Sequence, residues 1–189
     1  MPSRNVVLAL AAAGTILLGA SPSRADGFRL LPVLSSDFKF DPTLTIIGGT
    51  TFSTTRDGKA LGTVGIGLNI NCGLFQDGQN RIRTHVSLTD TFGHGVNAQT
   101  FDLSPRYTLP VGKDTYFSIG PSVAAVNARL YNANSNRYSI LAGYGAAGGL
   151  EYRHGHAYVG LDAEYLDTTR HRDTRLPTAK LLFVVGYHL

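Results

Sequence analysis

Nine ionisable residues share one pattern: Arg81, Arg83, Asp102, Arg106, Glu151, Arg153, Asp162, Glu164 and Lys180 each fall in step with a segment where apolar residues recur at every second position, and each has at least one apolar neighbour. If the apolar neighbours face one way, these groups face the other and can meet. They are four acids and five bases, with His85 and His188 nearby. Isolated charges in a narrow, poorly hydrated space are costly, so they are expected to pair into an interior ion network rather than line a lumen of one sign. Two other groups carry chemistry. His154 and His156, both in the short stretch RHGH, flank a tight turn, but two histidines do not complete a metal site, and they read as solvated turn residues. No metal or cofactor is expected. Arg170, Arg172 and Arg175, with His171 and Asp173, form a basic loop whose guanidinium forks suit phosphates; an ordinary solvated loop is the alternative.

The elements that position these residues follow from a side-chain period of two. In LGTVGIGLNINCGLF, Val64, Ile66, Leu68, Ile70, Cys72 and Leu74 alternate with Thr63, Gly65, Gly67, Asn69, Asn71 and Gly73. That is an extended strand with one apolar face. The same alternation recurs from Phe38 to Phe52, Ile82 to Leu88, Phe101 to Leu109, Phe117 to Ala125, Tyr138 to Tyr152, Ala157 to Tyr165 and Ala179 to Leu189. No segment shows a helical apolar period. These eight candidate strands, most about ten residues long, have the length a tilted strand needs to cross a bilayer.

The start of the chain reads differently. Arg4, an apolar run from Val6 to Ala20, and SPSRA with Ser23 and Ala25 form the pattern of a secretory signal peptide over residues 1–25. Residues 26–37 read as a lead-in and 38–189 as the barrel, although FRLLPVLSSD also fits part of the first strand. The 189-residue chain has 17 basic and 13 acidic residues; removing Arg4 and Arg24 with the signal leaves 15 against 13, a charge of +2. That balance argues against nucleic acid as a partner. Cys72 is the single cysteine, so no internal disulfide forms, and on the apolar face it reads as a small hydrophobe.

Connections alternate in character. QDGQN, VGKD and RHGH read as tight turns, while TTRDGKA, the GHGVN region, LYNANSNR and TTRHRDTRLPT read as longer loops at the opposite end. Pro105 and Pro121 fall inside the fourth and fifth strands, nearly opposite each other across the VGKD hairpin. Proline donates no backbone hydrogen bond, so a local break in pairing is expected there.

The orientation of the apolar face decides the class. The other face is mostly Gly, Ser, Thr and Asn, which suits the crowded interior of an eight-stranded barrel. Large Leu, Ile, Val, Phe and Tyr suit a lipid exterior, with aromatics near strand ends, such as Phe52, Phe92, Tyr138 and Tyr187, as interfacial girdles. The fold class expected is therefore all-β: an up-and-down, eight-stranded antiparallel transmembrane barrel.

With its final alternating strand KLLFVVGYHL, the chain resembles the small outer-membrane barrels of the OmpA and OmpX type over roughly residues 38–189. The resemblance implies a place in the bacterial outer membrane, with lipid and lipopolysaccharide as partners. It also implies recognition by the barrel-assembly machinery through residues 180–189, where Leu189 stands in place of the usual Phe. On this reading Arg170, Arg172 and Arg175 are the residues for lipopolysaccharide phosphates. The function expected is structural, or adhesive through exposed loops, with a plugged lumen and no enzymatic activity. Two alternatives stand beside it. Lipid A deacylases among such barrels use a His and a Ser two residues apart, and THVSL supplies His85 and Ser87, though these point inward near the short-turn end. A soluble lipocalin-like barrel would instead bury its apolar face around a ligand.

Overall fold

The computed structural model describes residues 27–53, 59–132, 135–169 and 176–189. Eight strands close into one antiparallel barrel: β2 (Thr43–Ser53), β3 (Ala60–Asn71), β5 (Ile82–Gly93), β6 (Val96–Pro110), β7 (Thr115–Asn132), β8 (Ser135–His154), β9 (Ala157–Thr168) and β10 (Thr178–His188). Each pairs with the next in sequence, and β10 returns to β2 with Leu181 opposite Thr50 and Tyr187 opposite Leu44. Closure leaves no edge strand along the barrel wall. The two remaining short strands, β1 (Arg29–Leu30) and β4 (Phe75–Gln76), pair with each other outside the barrel.

The alternation sorts the side chains as a barrel with its apolar face outward. Ile46, Ile66, Leu88, Val123, Leu161 and Phe183 point out, with Ile46 at 73% exposure and Phe183 at 55%. Thr45, Asn69, Arg83, Ser104, Ser122 and Lys180 point in and are buried. A water-soluble barrel has the reverse arrangement.

The expected pairing break is present. β6 and β7 are in register from Val96 opposite Leu130 to Leu103 opposite Val123, and again from Tyr107 opposite Ile119. Residues 104–106 and 120–122 between them are unpaired. The Ser104 hydroxyl donates to the carbonyl of Pro121 at 2.9 Å, across this gap. Gly120 belongs there because a Cβ would sit 2.0 Å from the Pro105 carbonyl oxygen.

Several expectations are corrected. The first barrel strand starts at Thr43, not Phe38: Asp41 takes φ +51°, and Pro42 offers no donor to the ladder. QDGQN is not a tight hairpin by itself; the connection runs over residues 72–81 and carries β4. Cys72 and Ile82 are buried at the two ends of this connection instead of continuing the outward face, and the Gln76 amide bonds both the N–H and the carbonyl of Ile82. The GHGVN region is a two-residue turn, not a long loop, because His94 (φ +48°) and Gly95 (φ +74°) adopt the left-handed geometry of a hairpin turn. In the LYNANSNR region β7 and β8 run on as paired strands, Asn132 opposite Ser135. Residues 1–25 and the basic loop with Arg170, Arg172 and Arg175 lie outside the described residues.

Candidate functional site

The chemistry of this fold lies inside the barrel. We call the end with residues 111–114 and 155–156 the lower end, and the end with residues 94–95 the upper end. Period-two alternation forces every second residue inward, and neighbouring strands bring their inward residues to the same level.

At the lower end, Arg83 from β5 donates to the Asp41 carboxylate and, at 2.7 Å, to its backbone carbonyl; it also reaches the Asn71 side-chain oxygen at 3.2 Å. Glu151 is 1% exposed, is bridged by Arg153 and lies 3.5 Å from His85 Nε2. The Arg153 guanidinium stacks over the Tyr116 ring at 4.8 Å. Asp41 also meets His188 at 3.1 Å. Burial works against its ionisation, but the hydrogen bond and charge of Arg83, with His188 and Arg153, hold the carboxyl below its ordinary value.

One level up, Arg106 on β6 donates to Asp162 on β9 at 2.8 Å, and Asn69 donates to the buried Tyr158 hydroxyl at 3.1 Å. Above that, Lys180 contacts Glu164 at 2.8 Å. Ser122 is held between Glu164, at 2.7 Å, and Asp102. A threonine ladder continues upward, Thr51 to Thr63 at 2.6 Å and Thr63 to Thr91 at 3.0 Å. At the upper mouth the inward side chains turn apolar: Leu61, Val96, Ala98, Val126, Leu141 and Leu176 pack together.

Eight of the nine charges singled out in the sequence therefore line the interior, in contacts that connect β5 to β10. Arg81 is the correction. It sits in the 72–81 connection, a third exposed, where it bonds the Tyr107 hydroxyl at 3.0 Å and lies near Asp77. The strand begins only at Ile82, so the alternation that would have aimed Arg81 inward has not started. With Arg81 outside, the remaining residues are four acids and four bases.

Sequence reasoning missed Asp41, Ser122, Asn69 and Tyr158 as partners. It also missed a second internal apolar cluster, Ile47 with Tyr158, Leu182 and Val184. The signal was available: Ile46-Ile47, Leu181-Leu182 and Val184-Val185 are adjacent apolar pairs, and alternation must send one of each pair inward.

This interior holds no open channel chemistry of one charge sign. Small internal spaces of about 30 Å³ lie among the described residues, one under the upper cluster and one beside His85, Asp102 and Glu164. Each has room for on the order of two waters. Among the described residues no group of three or more His, Cys, Asp or Glu has metal-binding geometry. His154 instead meets Asp114 at 3.0 Å, and His156 meets the His188 carbonyl at 2.7 Å.

A closed eight-stranded barrel with apolar exterior and ion-paired interior is the architecture of small outer-membrane barrels. No protein-family model matches the sequence, and no curated protein matches it. The fold itself is known. Neisserial surface protein A (NspA) superposes with a TM-score of 0.66 at 11% identity, over 87% of this chain and 100% of that one. Ail, the attachment invasion locus protein of Yersinia pestis, gives 0.56 at 9%, over 80% and 100%. The N-terminal β-barrel domain of Pseudomonas aeruginosa OprF gives 0.55 at 11%, again over 80% and 100%. At these identities the likeness is one of fold: the chain has the eight-stranded barrel of these proteins.

Proposed function

We propose that this protein is exported to the bacterial outer membrane, spans it as a barrel closed by its own side chains, and works at the surface. Its role is envelope integrity or attachment through the upper loops. The observation that carries this reading is the inverted sorting of side chains, hydrocarbon outside and ion pairs inside. Removing so much outward apolar surface from water is favourable only in lipid. The likeness in fold to NspA, Ail and the OprF barrel domain supports it, and the name of Ail points to attachment. The ion pairs and the upper apolar cluster argue for a lumen without steady conductance.

The deacylase alternative gains nothing from the geometry. His85 is buried and faces Glu151, with no hydrogen bond to Ser87, and both lie on the inner wall. Contact with lipopolysaccharide phosphates through Arg170, Arg172 and Arg175 remains part of the proposal, as does docking of residues 180–189 on the assembly machinery.

The test is refolding into phospholipid vesicles. The folded protein should sediment with lipid, migrate differently on a gel before and after boiling, and give no steady single-channel current in planar bilayers. A chain that stays in the aqueous supernatant and binds apolar dyes as a monomer would refute the membrane reading. Changing the three loop arginines to Gln should weaken binding to lipopolysaccharide; unchanged affinity would remove that contact.

A further inference from the structure

The segment before the barrel is not a bare tether. β1 pairs with β4, Arg29 opposite Gln76, and the backbone continues the attachment: Leu31 N–H to the Leu74 carbonyl at 2.7 Å, Val33 N–H to Gly73 at 3.3 Å. Pro32, in the same segment, is buried. Yet Phe28, Leu30, Leu31, Leu34, Phe40 and Leu74 are all left exposed, Leu30 at 76% and Leu34 at 80%. Leu30 and Leu34 are as open as the most outward residue of the barrel wall, Ile46. A fixed segment with that much contiguous hydrocarbon on its surface marks an interaction site.

We propose that residues 28–40, with Leu74, form a collar that beds into the headgroup boundary of the lower membrane leaflet. The inference rests on the membrane-barrel reading and adds a second lipid-binding surface to it. The occupant is lipid because the patch is continuous with the lipid-facing wall. The Asn71 N–H donates to the Phe40 carbonyl at 2.7 Å, extending the β2–β3 ladder downward, and Phe40 stays exposed below the outward row of that wall. The Phe38 ring meets Phe40 edge-on at 5.0 Å, and Phe28 stacks on Phe75 at 6.3 Å, so aromatics gather where an interfacial girdle is needed. Charge agrees. Asp37 is neutralised by Arg29, and Asp41 by Arg83, which leaves exposed Lys39 as a cation beside the phosphates of the same leaflet.

The chain has no tryptophan, so a single introduced one reports its own surroundings. The full mature chain is refolded in phosphatidylethanolamine–phosphatidylglycerol vesicles as Leu30→Trp or Leu34→Trp. Leu181→Trp on the outer wall and Lys113→Trp in the 111–114 turn serve as references. Both collar positions are exposed, and the boiled-versus-unboiled gel confirms that each variant is folded. Lipids brominated near the carbonyl should quench the collar tryptophans by about half or more of the effect at position 181, with acrylamide access well below that at position 113. Acrylamide quenching equal to position 113, with none by bromolipid, overturns the collar. A blue-shifted emission quenched by neither also overturns it, since protein then covers the patch. If Leu181→Trp itself escapes bromolipid, the membrane reading fails and the collar with it; quenching at 181 alone rejects only the collar.

Discussion

The lower and upper halves of the interior are made by the same eight strands from opposite materials. Below, Arg83, Glu151, Arg153, Arg106 and Asp162 interlock through directional contacts between β5, β6, β8 and β9. Above, Leu61, Val96, Val126, Leu141 and Leu176 fill the mouth by packing alone. An ion pair in a poorly hydrated space rewards one alignment of strands and penalises a slip that strands a charge. An apolar cluster tolerates a shift as long as the volume is filled. The lower half therefore carries the information that fixes register, and the upper half closes the lumen.

The strongest way to break that contrast is Glu151→Ala. It removes the fully buried carboxylate that Arg153 bridges and that faces His85, and leaves the three-quarters-buried Arg153 guanidinium without its counter-charge. The expected loss is about 3–5 kcal/mol, as for other buried pairs broken on one side. Urea titration of the folded gel band in vesicles measures it; a loss no larger than that of an exposed substitution would deny the lower network its structural part. Next comes Leu141→Ala at the mouth. Leu141 is 1% exposed, and the cavity left should cost about 2–4 kcal/mol. Unlike the first variant it should also admit transient current in planar bilayers, because water replaces hydrocarbon at the closure. A destabilised but silent barrel would show that the ion-paired level is the barrier.

The smallest effect is expected at Asp41, at the lower rim. Its carboxyl is held below the ordinary value of 3.8 chiefly by Arg83, against the opposing influence of burial. A lowered folded value means that this contribution is present above the ordinary value and is lost as pH falls through the lowered one. Protease cleavage of the lead-in should therefore rise in the wild type as the pH drops below about 4, and Asp41→Asn should remove that dependence. An identical acid response in both proteins would place the sensitivity elsewhere.

Much of the wall was legible in the sequence. Alternation gave the strand count, the closed order of neighbours and the facing of Ile66, Leu88 and Phe183, because each residue's side is set by parity once a strand is established. Even the gap at Pro105 and Pro121 could be read, since a missing N–H is a local property. Strand ends were less legible. Nothing local tells whether alternation continues past Asn71, and the fold of the connection shows where it stops: Cys72 and Ile82 are buried, joined by the Cys72 N–H to the Ile82 carbonyl and by the Gln76 amide. The same boundary removed Arg81 from the interior.

What the residues by themselves determined is the sidedness of this chain: which groups lie together on a face follows from two-residue periodicity and needs no partner. Which of those groups touch was decided only by closure. Ser122 meets Glu164 across forty-two positions and Arg106 meets Asp162 across fifty-six, contacts that depend on how far each strand is staggered when β10 returns to β2. Stagger is a property of all eight strands at once, so no single segment encodes it.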